Sequence, residues 1–86
     1  NALKEYLVTH LACSEPQARN MILMFWYFIQ KEETDLLSLI YTLIEDKPHS
    51  DDLQELMTLF INYSNHSPRW YLNGYSPNEI KELNQN

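Results

Sequence analysis

An uninterrupted apolar run at residues 21–29, MILMFWYFI, is the sequence feature that most restricts how this chain can fold. The run has nine residues, whereas a membrane-spanning helix needs about 20, so we do not expect a span. A helix that is apolar on all sides is expected to be buried on most of them. The run therefore predicts a central helix with other helices packed around it. An alternative is that one side of this helix, at Trp26 or Tyr27, docks onto a second chain.

Two short polar patterns mark the beginnings of helices. In SEPQ, Ser14 and Gln17 have the spacing of a capping box, and in SPNE, Ser76 and Glu79 have the same spacing. A proline follows each serine within two positions, in the first helical turn, where its missing N–H has no cost. These patterns predict helices that begin after residues 14 and 76.

Apolar residues recur at three- and four-residue steps elsewhere in the chain, as on one face of a helix. The pattern predicts an all-α fold, a compact bundle of four main helices plus a short C-terminal helix. The predicted helices lie near residues 3–12, 15–31, 34–46, 51–64 and 77–83, with Ser50, Asp51 and Asp52 at the start of the fourth. The predicted core consists of Leu7, Leu11, Ile22, Phe25, Trp26, Ile29, Leu37, Ile40, Leu43, Ile44, Leu56, Met57 and Phe60.

Composition agrees with helices joined by short turns, because the chain has one glycine and four prolines in 86 residues. We expect residues 1–86 to form a single domain, which can be one domain of a longer protein. Residues 1–2 are interpreted as the remnant of a cleaved tag. The single cysteine, Cys13, cannot form an internal disulfide, and no signal-peptide pattern is seen, so we expect a cytoplasmic protein.

Charge argues against two classes of partner. The formal net charge is −6, and between Glu32 and Glu55 eight acidic residues face Lys47 alone. Binding to phosphate groups depends on clustered lysine and arginine. The sequence therefore predicts no binding to nucleic acid or to a membrane.

A metal centre is not expected from the ligands available. His10 and Cys13 have a three-residue spacing and could share a helix face, and His49 and His66 are the other nitrogen ligands. A structural zinc site needs four nitrogen or sulfur ligands, and no CxxC or HxxxH pair supports one here. The sequence therefore predicts neither a metal nor a cofactor.

Catalysis is not expected either. Cys13 would gain thiolate character if the amides at the start of the second helix pointed at it. A nucleophile also needs a base, and no spacing selects one of the three histidines. The carboxylates near the start of the fourth helix are typical of solvated caps, and no known catalytic motif is present. We therefore predict that the protein is not an enzyme.

The connection before the last helix contains the best candidates for a contact with a partner, which are Arg69, Trp70 and Tyr71. Tryptophan and arginine are enriched at binding hot spots. The alternative is that Trp70 folds back to seal one end of the bundle while Arg69 pairs with a carboxylate. The sequence alone leaves both open.

The same segment resembles a tract of uncharacterised bacterial helical proteins. The resemblance rests on Trp70, three residues, then GYSP at 74–77, and after one residue Glu79 and Ile80. Some of those proteins carry a C-terminal SEC-C zinc motif, which this sequence lacks, so zinc binding is not implied here. The resemblance covers about a dozen residues and implies a bacterial helical module of unknown function.

These observations lead to one principal hypothesis and two alternatives. The principal hypothesis is a non-enzymatic protein-interaction module. The first alternative is a self-associating structural unit, a homodimer through the apolar second helix, because a short chain can need a second copy to cover such a surface. The second is a bundle that binds a small ligand between its aromatic helices.

Overall fold

The computed structural model describes residues 1–47 and 53–85, and these residues contain five α-helices and no β-strand. The all-α prediction is confirmed. The helices are α1 (Ala2–His10), α2 (Glu15–Phe28), α3 (Leu36–Ile44), α4 (Leu53–His66) and α5 (Pro77–Leu83), and a 3₁₀ turn (Trp70–Leu72) precedes α5. None of the helices described is long and apolar enough to cross a membrane.

The four main helices pack together so that α1 and α3 each contact both α2 and α4. Helix α5 packs against α4. At the centre, the rings of Phe25 and Phe60 meet edge to face, with 4.9 Å between their centroids. Helices α2 and α4 therefore form the core of the bundle.

Both predicted capping boxes are confirmed. The Ser14 hydroxyl accepts from the backbone N–H of Gln17 at 3.2 Å, and the Gln17 side chain accepts from the N–H of Ser14 at 2.8 Å. Ser76 and Glu79 exchange the same two bonds at the start of α5, at 3.2 and 2.9 Å. Each box satisfies amides that the helix itself leaves unpaired.

Some helix boundaries differ from the predicted ones. Helix α2 ends at Phe28 rather than near residue 31, because the chain turns there and the hydroxyl of Thr34 donates to the Phe28 carbonyl at 2.7 Å. Helix α4 continues to His66, since Pro68 first restricts the backbone at residue 67. The predicted cap at Ser50, Asp51 and Asp52 lies outside the described residues.

Most of the predicted core is buried, with one clear error. Leu37 is 52% exposed because α3 turns Ile40 and Ile44 inward, and these residues are 0% and 1% exposed. Trp26, Leu43 and Met57 are half-buried. The remaining predicted core residues are buried, and they are joined by others from α1, α2 and the connection between them, namely Leu3, Tyr6, Cys13, Ala18 and Met21.

Candidate protein-interaction surface

Arg69 lies inside the protein, at 5% exposure, so the expectation that it is a surface residue is wrong. Its Nη1 donates to the carbonyl oxygen of Ile29 at 3.1 Å and to the Tyr71 hydroxyl at 3.1 Å. Its Nη2 donates to the carbonyl of Ser64 at 2.9 Å and to the hydroxyl of the same residue. The alternative in which Arg69 pairs with a carboxylate is also wrong, because every described partner is a carbonyl or a hydroxyl.

The position of these carbonyls explains why a charged side chain is buried here. Ile29 is the C-terminal cap of α2, and Ser64 lies in the last turn of α4. Carbonyls at helix C-termini lack intrahelical partners and carry the negative end of the helix dipole. The planar guanidinium of Arg69 donates to the carbonyl of Ile29 and to that of Ser64, which also accepts from the N–H of Ser67 at 3.2 Å, and thereby joins the two helix ends. Its Nε atom is buried without a hydrogen-bond partner among the described residues.

Gln30 is a second buried polar side chain at this end of the bundle, at 6% exposure. Its Nε2 donates to the carbonyls of Trp26 and Pro68, both at 3.1 Å. Its Oε1 accepts from the backbone N–H of Trp70 at 2.8 Å. One side chain thus ties the end of α2 to the segment that presents Trp70.

Backbone hydrogen bonds close this segment on itself. The carbonyl of Arg69 accepts from the N–H of Gly74 at 2.9 Å, and the N–H of Arg69 donates to the carbonyl of Tyr75 at 3.0 Å. Asn73 and Gly74 make the return with φ angles of 57° and 89°, in the left-handed region that asparagine and glycine tolerate. The 3₁₀ turn is therefore fixed by side chains beneath it, Arg69 and Gln30, and by backbone hydrogen bonds within the segment.

Trp70 is 61% exposed in spite of this support. Its ring meets the rings of Trp26 and Tyr27 edge to face, with centroid distances of 5.7 and 6.2 Å. Such arrangements are favourable for aromatic pairs. Trp70 therefore contacts α2 while most of its surface faces solvent. It does not seal the end of the bundle, which was the alternative considered from the sequence.

The side chains of α2 extend this apolar area. Leu23, Met24, Tyr27 and Phe28 are 62%, 49%, 54% and 36% exposed. With Trp26 they line one shallow apolar depression. We call these five residues of α2 together with Trp70 the aromatic surface. Tyr71, at 38% exposure, belongs to the same 3₁₀ turn as Trp70.

Basic residues border the aromatic surface. A groove of about 450 Å³ adjoins it at Leu23 and Trp26 and is also lined by Lys4 and Arg19. Nζ of Lys4 donates a hydrogen bond to the carboxylate of Glu15 at 3.1 Å and forms an ion pair with it. This hydrogen bond holds the pKa of the Glu15 carboxyl below its usual value. At the opposite end of α2, Nζ of Lys31 lies 5.7 Å from the ring centroid of Phe28, in cation–π range.

The residues considered for metal binding or catalysis have other surroundings. Burial raises the pKa of the Cys13 thiol, which disfavours the thiolate form that a nucleophile would need. His10 is stacked on Tyr6 at 4.1 Å. His66 lies 2.9 Å from the carbonyl of Asn62 and 3.2 Å from the amide nitrogen of Asn78, a link between α4 and α5. In residues 1–47 and 53–85, no three histidine, cysteine or acidic side chains are grouped as metal ligands, and His49 lies outside these ranges.

Sequence reasoning named Arg69, Trp70 and Tyr71 as candidates for a partner contact but did not identify Gln30, or the buried position of Arg69, as the support of this segment. Gln30 follows the apolar run directly and was the one available signal, since a polar side chain at the end of a buried helix needs partners. Nothing local to Arg69 indicated that its partners lie on two different helices.

Comparison with known proteins gives no further guide. No protein-family model matches the chain, and neither the curated proteins nor the solved structures show a significant match to it.

Proposed function

We propose that this chain is a non-enzymatic protein-interaction module of a bacterial cytoplasm, and that it contacts its partner through the aromatic surface. One observation carries the proposal, which is that Trp70 is 61% exposed and yet fixed in position. Its backbone is bonded to Gln30 and its ring rests on Trp26 and Tyr27. The likeness of residues 70–80 to bacterial helical proteins supports the assignment to a bacterium.

The energetics favour this use of the site. Association is opposed by the entropy lost when flexible side chains and loops become ordered. In residues 69–75 that ordering is already present in the free protein, since the segment is bonded to itself and to two helices. A preorganised tryptophan within an apolar area is typical of a binding hot spot.

Exposed apolar area is the second support. Leu23, Met24, Tyr27, Phe28 and Trp70 together expose on the order of 500 Å² of side chain, as large as the largest patches on ordinary monomers. Patches of this size are often functional. In this proposal the aromatic surface makes the contact, Tyr71 adds to it from the same 3₁₀ turn as Trp70, and the buried Arg69 fixes the position of that turn.

The proposal is tested by comparing how tightly the wild-type chain and two matched variants of it bind a partner protein. Wild type, Trp70→Ala and Tyr41→Ala are used to capture proteins from a lysate of the source organism. Tyr41 is the control because it is an exposed tyrosine, at 50%, on α3 and outside the aromatic surface. All three proteins are first compared by circular dichroism and urea unfolding. Each captured protein is then purified, and its affinity for the three chains is measured by calorimetry.

We expect a purified partner to bind Trp70→Ala at least about tenfold more weakly than wild type, as for a hot-spot residue. Tyr41→Ala should bind as wild type does. A partner that binds Trp70→Ala as tightly as wild type would place the contact elsewhere and contradict the proposal.

A further inference from the structure

We infer that a second copy of this chain occupies the aromatic surface, in an antiparallel pairing of the two α2 helices about a twofold axis. The inference rests on the proposed function, because it names the partner of the same surface. It is supported by the spacing of the exposed residues, by the area available and by the charges at the two ends of the surface.

The exposed residues of α2 form a short symmetric stripe. Leu23 and Tyr27 are four residues apart, as are Met24 and Phe28, so the four lie side by side over about one turn. A twofold axis through the middle of this stripe places Leu23 opposite Phe28 of the second copy. It places Met24 opposite Tyr27 in the same way. Such an isologous contact uses one surface twice and needs no other partner.

The area is sufficient for a weak dimer. About 500 Å² from each copy gives on the order of 1,000 Å² of buried surface, at the low end for specific interfaces. Trp70 broadens the contact beyond α2, because its ring lies against Trp26 and Tyr27. We therefore expect reversible dimerisation rather than an obligate dimer.

Charge makes the two ends of the stripe complementary in this orientation. Arg19 lies four residues before Leu23, is exposed, and shares the groove that Leu23 and Trp26 line. Among the described residues no carboxylate lies within ion-pair distance of Arg19, and its charge contributes, after that of Lys4, to the lowered pKa of the Glu15 carboxyl. The other end is formed by Glu32 and Glu33, both exposed, with Lys31 beside them against the Phe28 ring, so its two negative charges outnumber its one positive charge.

The acidic turn is held beside Phe28. The N–H of Lys31 and the hydroxyl of Thr34 both donate to the Phe28 carbonyl, at 3.2 and 2.7 Å. Arg19 lies one helical turn before Leu23 within α2, whereas Glu32 lies beyond the end of α2, in the turn that these two bonds hold. The antiparallel pairing therefore brings Arg19 of each copy towards Glu32 and Glu33 of the other, whereas a parallel pairing would bring like ends together.

Local complementarity is needed because the whole chain carries a formal net charge of −6 and two copies repel each other. Measurements are therefore made near 0.15 M salt, where charges further apart than about 8 Å are largely screened. Under these conditions the short-range contacts at the stripe decide the association.

The first experiment is sedimentation equilibrium over a concentration series of the whole chain. We expect a monomer–dimer equilibrium with a dissociation constant on the order of 10–100 μM, as for a small interface. Leu23→Ala and Trp70→Ala should each weaken the dimer about tenfold, and Tyr41→Ala should leave it unchanged. A wild-type chain that stays monomeric at several hundred micromolar would overturn the inference.

The second experiment reverses the charges at each end. One variant is Arg19→Glu, and the other combines Glu32→Lys with Glu33→Lys. Each variant alone places like charges together twice across the twofold axis and should dimerise about tenfold more weakly than wild type. An equimolar mixture of the two variants restores opposite charges at both ends, so a heterodimer should form with nearly wild-type affinity.

The outcomes separate this inference from the proposed function. If the mixture dimerises no better than the single variants, the antiparallel pairing is wrong. If the wild type stays monomeric and a captured protein still loses affinity for Trp70→Ala, the second copy is excluded as the partner and the proposed function stands. If a captured partner binds Trp70→Ala normally while the charge-reversal mixture forms its heterodimer, the surface serves self-association alone.

Discussion

The guanidinium of Arg69 donates a 3.1 Å hydrogen bond to the carbonyl oxygen of Ile29, a residue 40 positions earlier in the chain. The same side chain reaches Ser64 on α4. A single arginine thus connects the C-terminal ends of the two core helices and fixes the start of the segment that carries Trp70. The stability of the domain and the position of its most exposed tryptophan are therefore coupled.

Replacement of Arg69 by methionine should lower the free energy of unfolding by about 3 kcal/mol, because the carbonyls of Ile29 and Ser64 lose a charged donor. Lysine should recover only part of this loss, since an ammonium group lacks the planar fork. Urea unfolding measures the change. Arg19→Met is the control at the other, exposed arginine; measured at about 1 μM, where the inferred dimer is dissociated, it should cost less than about 0.5 kcal/mol. Equal effects at the two positions would contradict the bridging role.

Replacement of Gln30 by methionine should cost about 2 kcal/mol, because the N–H of Trp70 and the carbonyls of Trp26 and Pro68 lose their partner. The control Gln54→Met, at an exposed glutamine of α4, should be close to neutral. Hydrogen exchange adds a local test, since the amide of Trp70 should exchange faster in Gln30→Met. Unchanged exchange at that amide would mean that Gln30 does not hold the segment.

Replacement of Gly74 by alanine should destabilise the protein by about 1 kcal/mol through backbone strain alone. Its φ angle is 89°, and a Cβ atom there would meet nothing within 4 Å. The converse change, Ala12→Gly, should stabilise the protein by up to about 1 kcal/mol, because Ala12 has a φ angle of 56° just after α1. Thermal unfolding of the two variants should therefore shift in opposite directions. A shift in the same direction would contradict the backbone explanation.

Acidification should destabilise α3 in part through its N-cap. Hydrogen bonds from the side chain and then the backbone of Ser38 hold the pKa of the Asp35 carboxyl below its usual value. A carboxyl whose pKa is lower in the folded state stabilises the protein above the unfolded pKa, which is about 4 for aspartate. This contribution is lost as the pH falls below that value. The free energy of unfolding should fall less between pH 6 and pH 3 for Asp35→Asn than for wild type. An equal fall in the two proteins would show that Asp35 does not contribute to the acid sensitivity.

The Cys13 thiol should react slowly in the folded protein. Its side chain is 4% exposed, and burial raises its pKa, so little thiolate is present at neutral pH. Alkylation by iodoacetamide at pH 7 should be at least about tenfold slower in buffer than in urea, after correction for the rate of a model thiol in urea. Equal rates would show that the thiol is accessible.

The amino-acid sequence by itself determined the features that depend on neighbours within a few residues. The capping boxes at Ser14 and Ser76 were readable because both partners lie three positions apart. The all-α fold was readable because apolar residues recur at helical spacing. Even within α2, however, the run of apolar residues could not show which side is covered. Phe25 and Ile29 are buried, whereas Leu23 and Tyr27 are exposed.

The exposure and the support of the residues in the candidate surface were decided by the tertiary structure. Arg69 and Gln30 find partners that are distant in the chain, at Ile29 in one case and at Pro68 and Trp70 in the other. No periodic pattern records such contacts, because they form only after the ends of α2 and α4 meet. The sequence determined which segments become helices through local hydrogen bonding and spacing. The packing of those helices determined which charge is buried and which tryptophan faces solvent.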